Sequence, residues 1–331
     1  MNIIIYILCF ICLSYLSTAE SHADIYKCIS DKGEVVFKNS PCDEGSDQEI
    51  IKSKKTKNKN DYSDSEYDYE SELPNEIAEE SSIKLEIIND GYQFTQGELN
   101  YLNHGVNFLY NYYKQIFEYE GEVLIRMRVI GDEKDFYNYQ IKNIKRVFSK
   151  AGIFINKLDE GVINGSMSRK KVIRTLLHET SHAILSKKTR NVPLWINEGL
   201  AEYFEMIKPY KNEIVVDYQY SRYFDLRKWQ SGGQLIPLGK YLRLNSYGWR
   251  ELEVVHDQIT RTMAWSIIHF LMSSESGQKS LVKIIRKLKA HPDIQSVKII
   301  NKNVPGGISR LEREWAKYIS SSPTIHTYQP F

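Results

Sequence analysis

The chain has 331 residues, 42% hydrophobic and 26% charged, with a mean hydropathy of −0.44. That length and balance suit one substantial domain with attachments, or two medium ones, and exclude a small disulfide scaffold, a disordered chain and a multiply membrane-spanning protein. Lys and Arg number 44 against 42 Asp and Glu, a formal +2, so there is no electrostatic ground for a nucleic-acid partner.

Ile3 to Leu16 form an apolar run shorter than the roughly 20 residues a spanning helix needs, followed by small residues at Ser17, Ala19, Ser21 and Ala23. This reads as a signal peptide over residues 1–23, cleaved after Ala23 or, as a second choice, after Ala19. No Lys or Arg precedes the run, which leaves an uncleaved anchor as the alternative. Cys9 and Cys12 lie inside the run and leave with it; after cleavage no membrane span is expected, and the mature protein is periplasmic or secreted. Export to an oxidising compartment then makes Cys28 and Cys42 a disulfide pair. Two β-type runs around Asp31-Lys32-Gly33 give a small hairpin module over residues 24–50. Its Tyr26-Lys27-Cys28, Asp31-Lys32-Gly33 turn and Pro41-Cys42 resemble a short module of unknown function found at the front of many bacterial envelope proteins.

Five lysines between Lys52 and Lys59, then nine acidic residues between Asp61 and Glu80, cannot bury enough apolar surface to order themselves. Residues 51–82 are therefore expected to be a charged flexible linker, and the fragment from about Ile83 onward to be self-sufficient. Alternation of Ile83, Leu85 and Ile87 predicts a strand. Thr95 and Glu98 form a capping-box pattern ahead of a long amphipathic helix carrying Leu99, Leu102, Val106, Leu109, Tyr113 and Ile116. Ile125, Met127 and Val129 predict a second strand, and Ile153–Asn156 and Val162–Asn164 two short ones. Past residue 206 the pattern is mainly helical, with helices over Ile259–Met272, Leu281–Leu288 and Ile308–Ile319, the last opened by a capping box of Ser309 and Glu312. The expected class is α+β, with strands and helices first and a helical lobe after them.

The segment Leu176-Leu177-His178-Glu179-Thr180-Ser181-His182 lies on a predicted helix that opens near Ser166 or Ser168. Four residues apart, His178 and His182 share a helix face and can reach one tetrahedral metal ion, while Glu179 beside them can take a proton from water. Pro193 opens a second helix, Trp195-Ile196-Asn197-Glu198-Gly199-Leu200-Ala201-Glu202-Tyr203, which sets Glu198 and Glu202 on one face. Two His and one Glu leave a fourth zinc position open, the arrangement of a catalytic site. Glu202, a turn after Glu198, is the candidate acceptor for the second N–H of a ligating histidine.

At these residues the chain resembles the gluzincin peptidases, with His-Glu-x-x-His followed by Asn-Glu-Gly on a second helix, and more closely the peptidase MA-like domains of bacterial envelope proteins. The resemblance spans roughly residues 83–320, including Ala264-Trp265-Ser266-Ile267-Ile268-His269-Phe270-Leu271 and Leu311-Glu312-Arg313-Glu314-Trp315. It implies a gluzincin-like domain over residues 83–331, one zinc ion per chain held by His178, His182 and Glu198, and Glu179 as the base. It also implies an edge strand that pairs with extended substrate, either Gly152–Ile155 or Val162–Asn164. Where such domains often carry a tyrosine that stabilises the oxyanion, this chain has Arg261. The donor is then Arg261, or one of Tyr218, Tyr220, Tyr223, Tyr241, Tyr247 and His256. The expected function is an exported zinc peptidase acting on a peptide or protein substrate; the alternative is a non-catalytic envelope binding or scaffold protein on the same fold. His269 is expected to pack rather than ligate.

Overall fold

A computed structural model of the chain describes residues 25–29, 35–38, 42, 47–51, 83–118, 121–188, 192–210, 213–255, 258–291, 295–322 and 324–328. The expected signal peptide and linker fall outside them, apart from Ile51, the last residue of a strand. Three strands come first, β1 (Ile25–Ile29), β2 (Val35–Lys38) and β3 (Asp47–Ile51). The next elements are β4 (Ile83–Asp90), α1 (Gln96–Phe117), β5 (Val123–Ile130), α2 (Glu133–Ile144), β6 (Gly152–Ile155), β7 (Glu160–Asn164), α3 (Arg169–Lys188) and α4 (Leu194–Phe204). Beyond them lie β8 (Ile207–Tyr210), β9 (Glu213–Val216), α5 (Tyr220–Ser231), α6 (Leu238–Tyr241), α7 (Ser246–Val255), α8 (Ile259–Met272), α9 (Glu275–Ala290), α10 (Ser296–Asn303), α11 (Gly307–Ser320) and β10 (His326–Tyr328). The class is mixed α+β, with a Cys28–Cys42 disulfide. No helix among the described residues is long and apolar enough to cross a membrane.

Seven strands form one sheet in the order β3-β1-β2-β4-β5-β7-β6. Its centre, β4, β5 and β7, is parallel, because α1 and then α2 with β6 carry the chain back between strands. The flanks are antiparallel. One of them extends the expected two-run hairpin: the front strands include a third member, β3, and β2 pairs with β4 from Val35↔Asn89 to Lys38↔Glu86. The edge that β4 would otherwise present is thereby covered. At the opposite edge lies β6, paired among the described residues with β7 alone.

Local chemistry accounts for the helices that flank the sheet. Thr95 Oγ1 accepts the Glu98 N–H at 3.2 Å and Glu98 accepts the Thr95 N–H at 2.8 Å, the reciprocal cap expected for α1. The same Glu98 carboxylate pairs with Arg169, tying the start of α1 to the start of α3. Leu102, Leu109 and Tyr113 of α1 pack with Val172, Leu176 and Leu177 of α3 in one core. Gly199 lets α4 and α8 approach closely: a Cβ there would lie 2.7 Å from the Ala264 carbonyl oxygen. This contact holds Glu198 on α4 against Arg261 on α8.

Two expectations change. The α11 helix is capped by Gly306 in the left-handed region, φ 77°, so Ser309 lies inside the first turn and Glu312 instead accepts the Leu238 N–H at 2.6 Å. The helical lobe also contains a small antiparallel sheet, β10-β9-β8.

Under that sheet, His269 and His326 stack with ring centroids 4.2 Å apart, among Trp265, Tyr203 and Tyr318. His269 Nδ1 is 2.5 Å from Tyr318 Oη, and His326 Nδ1 2.7 Å from Tyr203 Oη. His269 is thus a packing residue. Burial lowers His269 to about 3, with the His326 charge adding to the effect, and burial lowers His326 to about 4. Both values lie below the unfolded 6.5, so the unfolded chain takes up protons first as the pH falls. Stability is whole above pH 6.5 and is lost as pH falls through 6.5 toward 4. A loss on the order of 2 kcal/mol or less per histidine is expected between pH 7 and 5. Urea midpoints at the two pH values measure it, and His269→Phe should shrink the difference.

Candidate metal centre

The sheet delivers the chain from β7 into α3, and α4 packs against α3, so His178, His182 and Glu198 meet on the floor of one groove of about 1340 Å³. His178 Nε2 and His182 Nε2 are 3.2 Å apart, and each is 3.8 Å from a different oxygen of Glu198. Metal bonds of about 2.0–2.2 Å at tetrahedral angles separate ligand atoms by roughly 3.4 Å, close to this spacing.

The protonation pattern tests whether a cation fits. His178 Nδ1 lies 3.0 Å from Glu205 Oε2, and His182 Nδ1 lies 3.2 Å from Asn197 Oδ1. Both partners accept, so each Nδ1 carries a proton, and the two facing Nε2 atoms are left to share one proton or a metal cation between them. A metal cation can take the place of that proton, with both lone pairs turned toward it. Glu198 Oε2 is also buried without a hydrogen-bond partner, although Arg261 Nη1 approaches it at 3.2 Å. Two imidazole nitrogens and one carboxylate, open on the groove side, suit a divalent metal.

Charge explains the titration of the group. Burial alone would lower His178, but its bond to Glu205 and the charges of Glu179, Glu202 and Glu205 raise it to about 9. His182 has no such excess, and burial takes it down to about 4. Burial pushes the Glu179 carboxyl up to about 7, with Glu198 adding and His178 and Arg261 opposing. Glu198 is held at about 2, because Arg261 and the two histidines outweigh its burial.

Glu179 is fixed from the sheet side. A Cβ on Gly152 would overlap Thr175 Cγ2 and lie 3.1 Å from Glu179 Oε1, so β6 lies directly on α3 there. The Phe154 backbone N–H donates to the same carboxylate. Of the two strands considered as the edge, β6 is the outer one and β7 is interior. Ala151 C=O accepts the Asn164 N–H at 2.8 Å, so by alternation Gly152 and Phe154 turn their carbonyls to the open edge.

Glu202 does not hold a histidine. It pairs with Arg222 at 2.7 Å and accepts from Gln219 at 3.2 Å, and Glu205, three residues on, takes the role at His178. Glu205 is itself held by Arg174 and by Gln219 at 3.3 Å. A second grouping, His178 with Glu202 and Glu205, is therefore already satisfied by guanidinium partners and is not a separate metal site.

Arg261 lines the groove, with Nη1 3.5 Å from Glu202 and Nε 3.6 Å from Glu253 in addition to its Glu198 contact. The tyrosines considered as alternatives do not line it. Tyr241 is buried, donating to the Thr260 carbonyl at 2.7 Å, Tyr223 is buried beside α8 and α11, and Tyr220 and Tyr247 point to solvent. His256 lies outside the described residues.

No curated protein matches the chain. Residues 172–295, which carry His178, Glu179, His182, Glu198, Glu205 and Arg261 but not β6 or β7, match a family described as a protein of unknown function (DUF1570).

Proposed function

We propose that this chain is an exported zinc-dependent peptidase. The observation that carries the reading is the convergence of two imidazole nitrogens and the Glu198 carboxylate in a groove beside a buried glutamate. A zinc ion at His178, His182 and Glu198 would polarise a peptide carbonyl and lower the pKa of water at the site to about 7.

The other steps belong to the chain's own groups. Glu179, buried beside the metal-ligand residues, takes a proton from water and delivers it to the departing amine. Arg261 faces the negative charge that develops on the carbonyl oxygen. The open edge of β6 offers backbone groups to an extended peptide, a mode that favours polypeptide over small amides. The Cys28–Cys42 disulfide supports an oxidising location.

Metal analysis of the purified protein with a peptide-library screen tests the reading. About one zinc per chain with cleavage is expected; one zinc without cleavage of any peptide would move the protein to the binding or scaffold class.

A further inference from the structure

One mouth of the groove is strongly basic. The loop between α2 and β6 carries Lys145, Arg146 and Lys150, and the first turn of α3 carries Lys170 and Lys171. All five are exposed, and none is paired with a carboxylate among the described residues. Phe148 and Ser149 of the loop line the groove together with Lys170, Lys171 and the metal-centre residues. The carboxylates deeper in the groove are already matched, Glu198 by Arg261, Glu202 by Arg222 and Glu205 by Arg174. Asp225, exposed on the facing wall of α5, lines the groove with no cationic partner among the described residues.

The basic loop is built rather than loose. Gln140 is fully buried; its Oε1 accepts from Phe148 N–H at 2.9 Å and Ser149 N–H at 3.1 Å, and its Nε2 donates to the Ser149 carbonyl at 2.8 Å. Asn164 Nδ2 donates to the Lys150 carbonyl at 3.0 Å, and Ser149 Oγ accepts from Ala151 and Gly152, each at 3.2 Å. Phe148 is 53% exposed, with the Arg146 guanidinium 3.7 Å from its ring centre. A buried glutamine with three bonds to one exposed loop holds its backbone beside the groove, so that Lys145, Arg146 and Lys150 flank the mouth that Lys170 and Lys171 line.

We infer that this mouth is a subsite for acidic polypeptide, so that the substrate carries Asp or Glu residues on the carboxyl side of the bond to be cleaved. The side follows from strand direction. Gly152 lies over Thr175 and Glu179, while Asp159, just after β6, pairs with Lys187 near the end of α3, so β6 runs the same way as α3. A peptide added antiparallel to β6, the more stable pairing, passes Glu179 and then reaches the loop before β6 with its carboxyl-terminal part. Unpaired exposed cations attract and orient an anionic chain while contributing little that survives high salt.

This inference rests on the peptidase reading, and binding separates the two. Full-length protein carrying Glu179→Gln is titrated with two fluorescent peptides, identical except for four Glu or four Gln in their carboxyl-terminal half. The acidic peptide is expected to bind about tenfold tighter at low ionic strength, the gap closing near 0.5 M salt and vanishing in Lys170→Glu/Lys171→Glu. Equal binding of the two peptides overturns the inference whether or not the wild type cleaves anything. A peptide with the acidic run in its amino-terminal half binding as well also overturns it, as does an oligonucleotide of equal charge competing as strongly as the acidic peptide. In the wild type, cleavage indifferent to charge removes the subsite and leaves the peptidase. Absence of all cleavage, with the acidic preference intact, removes the peptidase and leaves an acidic-peptide site.

Discussion

Replacing Glu179 with glutamine is expected to leave zinc content and folding near those of the wild type while hydrolysis falls by at least ~10²–10⁴-fold, the range of a lost general base. Glutamine keeps the size of the side chain and can still accept the Phe154 N–H, so the approach of β6 to α3 at Gly152 is undisturbed. What it cannot do is accept and return a proton. His178→Ala, His182→Ala or Glu198→Ala is less informative, because each would remove a ligand of the proposed metal and abolish catalytic and purely structural roles together. Equal cleavage rates at equal zinc occupancy would falsify the assignment of Glu179 as the base.

The second large effect belongs to Glu205. Its carboxylate fixes the His178 tautomer and ring plane, and outer partners of this kind are worth about 10–100-fold in metal affinity. Glu205→Gln should therefore weaken zinc binding by about that factor in competition with a chelator. Glu202→Gln, which disturbs Arg222 and Gln219 instead, should weaken it much less. The reverse ranking would return the orienting role to Glu202.

That pair shows where reading the sequence stops. Glu198, Glu202 and Glu205 are spaced i, i+4 and i+7, so all three share a face of α4, and spacing alone cannot say which meets His178. The decision lies with Arg174 on α3 and Arg222 on α5, which claim Glu205 and Glu202 respectively and come from distant parts of the chain. The histidine pair was legible because a helix turn fixes it locally, as was the Thr95–Glu98 cap. Helix α2 left no apolar stripe, since Phe136 and Gln140 are its only buried residues, and Gln140 is buried to hold a loop. Strands β8 and β9 are four residues each, and the proline at position 209 of β8 masks the alternation. The β2–β4 pairing joins segments some fifty positions apart, and no local pattern announces it.

The sulfur bridge gains a further meaning from that pairing. Cys28 sits in β1, next to the strand that covers β4, so the covalent link helps hold the cover in shape. Production in a reducing cytosol would leave the first fifty residues unstapled and a row of β4 backbone donors and acceptors open to a neighbouring molecule. The same polypeptide is then expected to be monodisperse when oxidised and to self-associate when its cysteines are reduced or changed to serine. Light scattering on the two forms reads this out, and identical particle sizes would show that the cover holds without its staple.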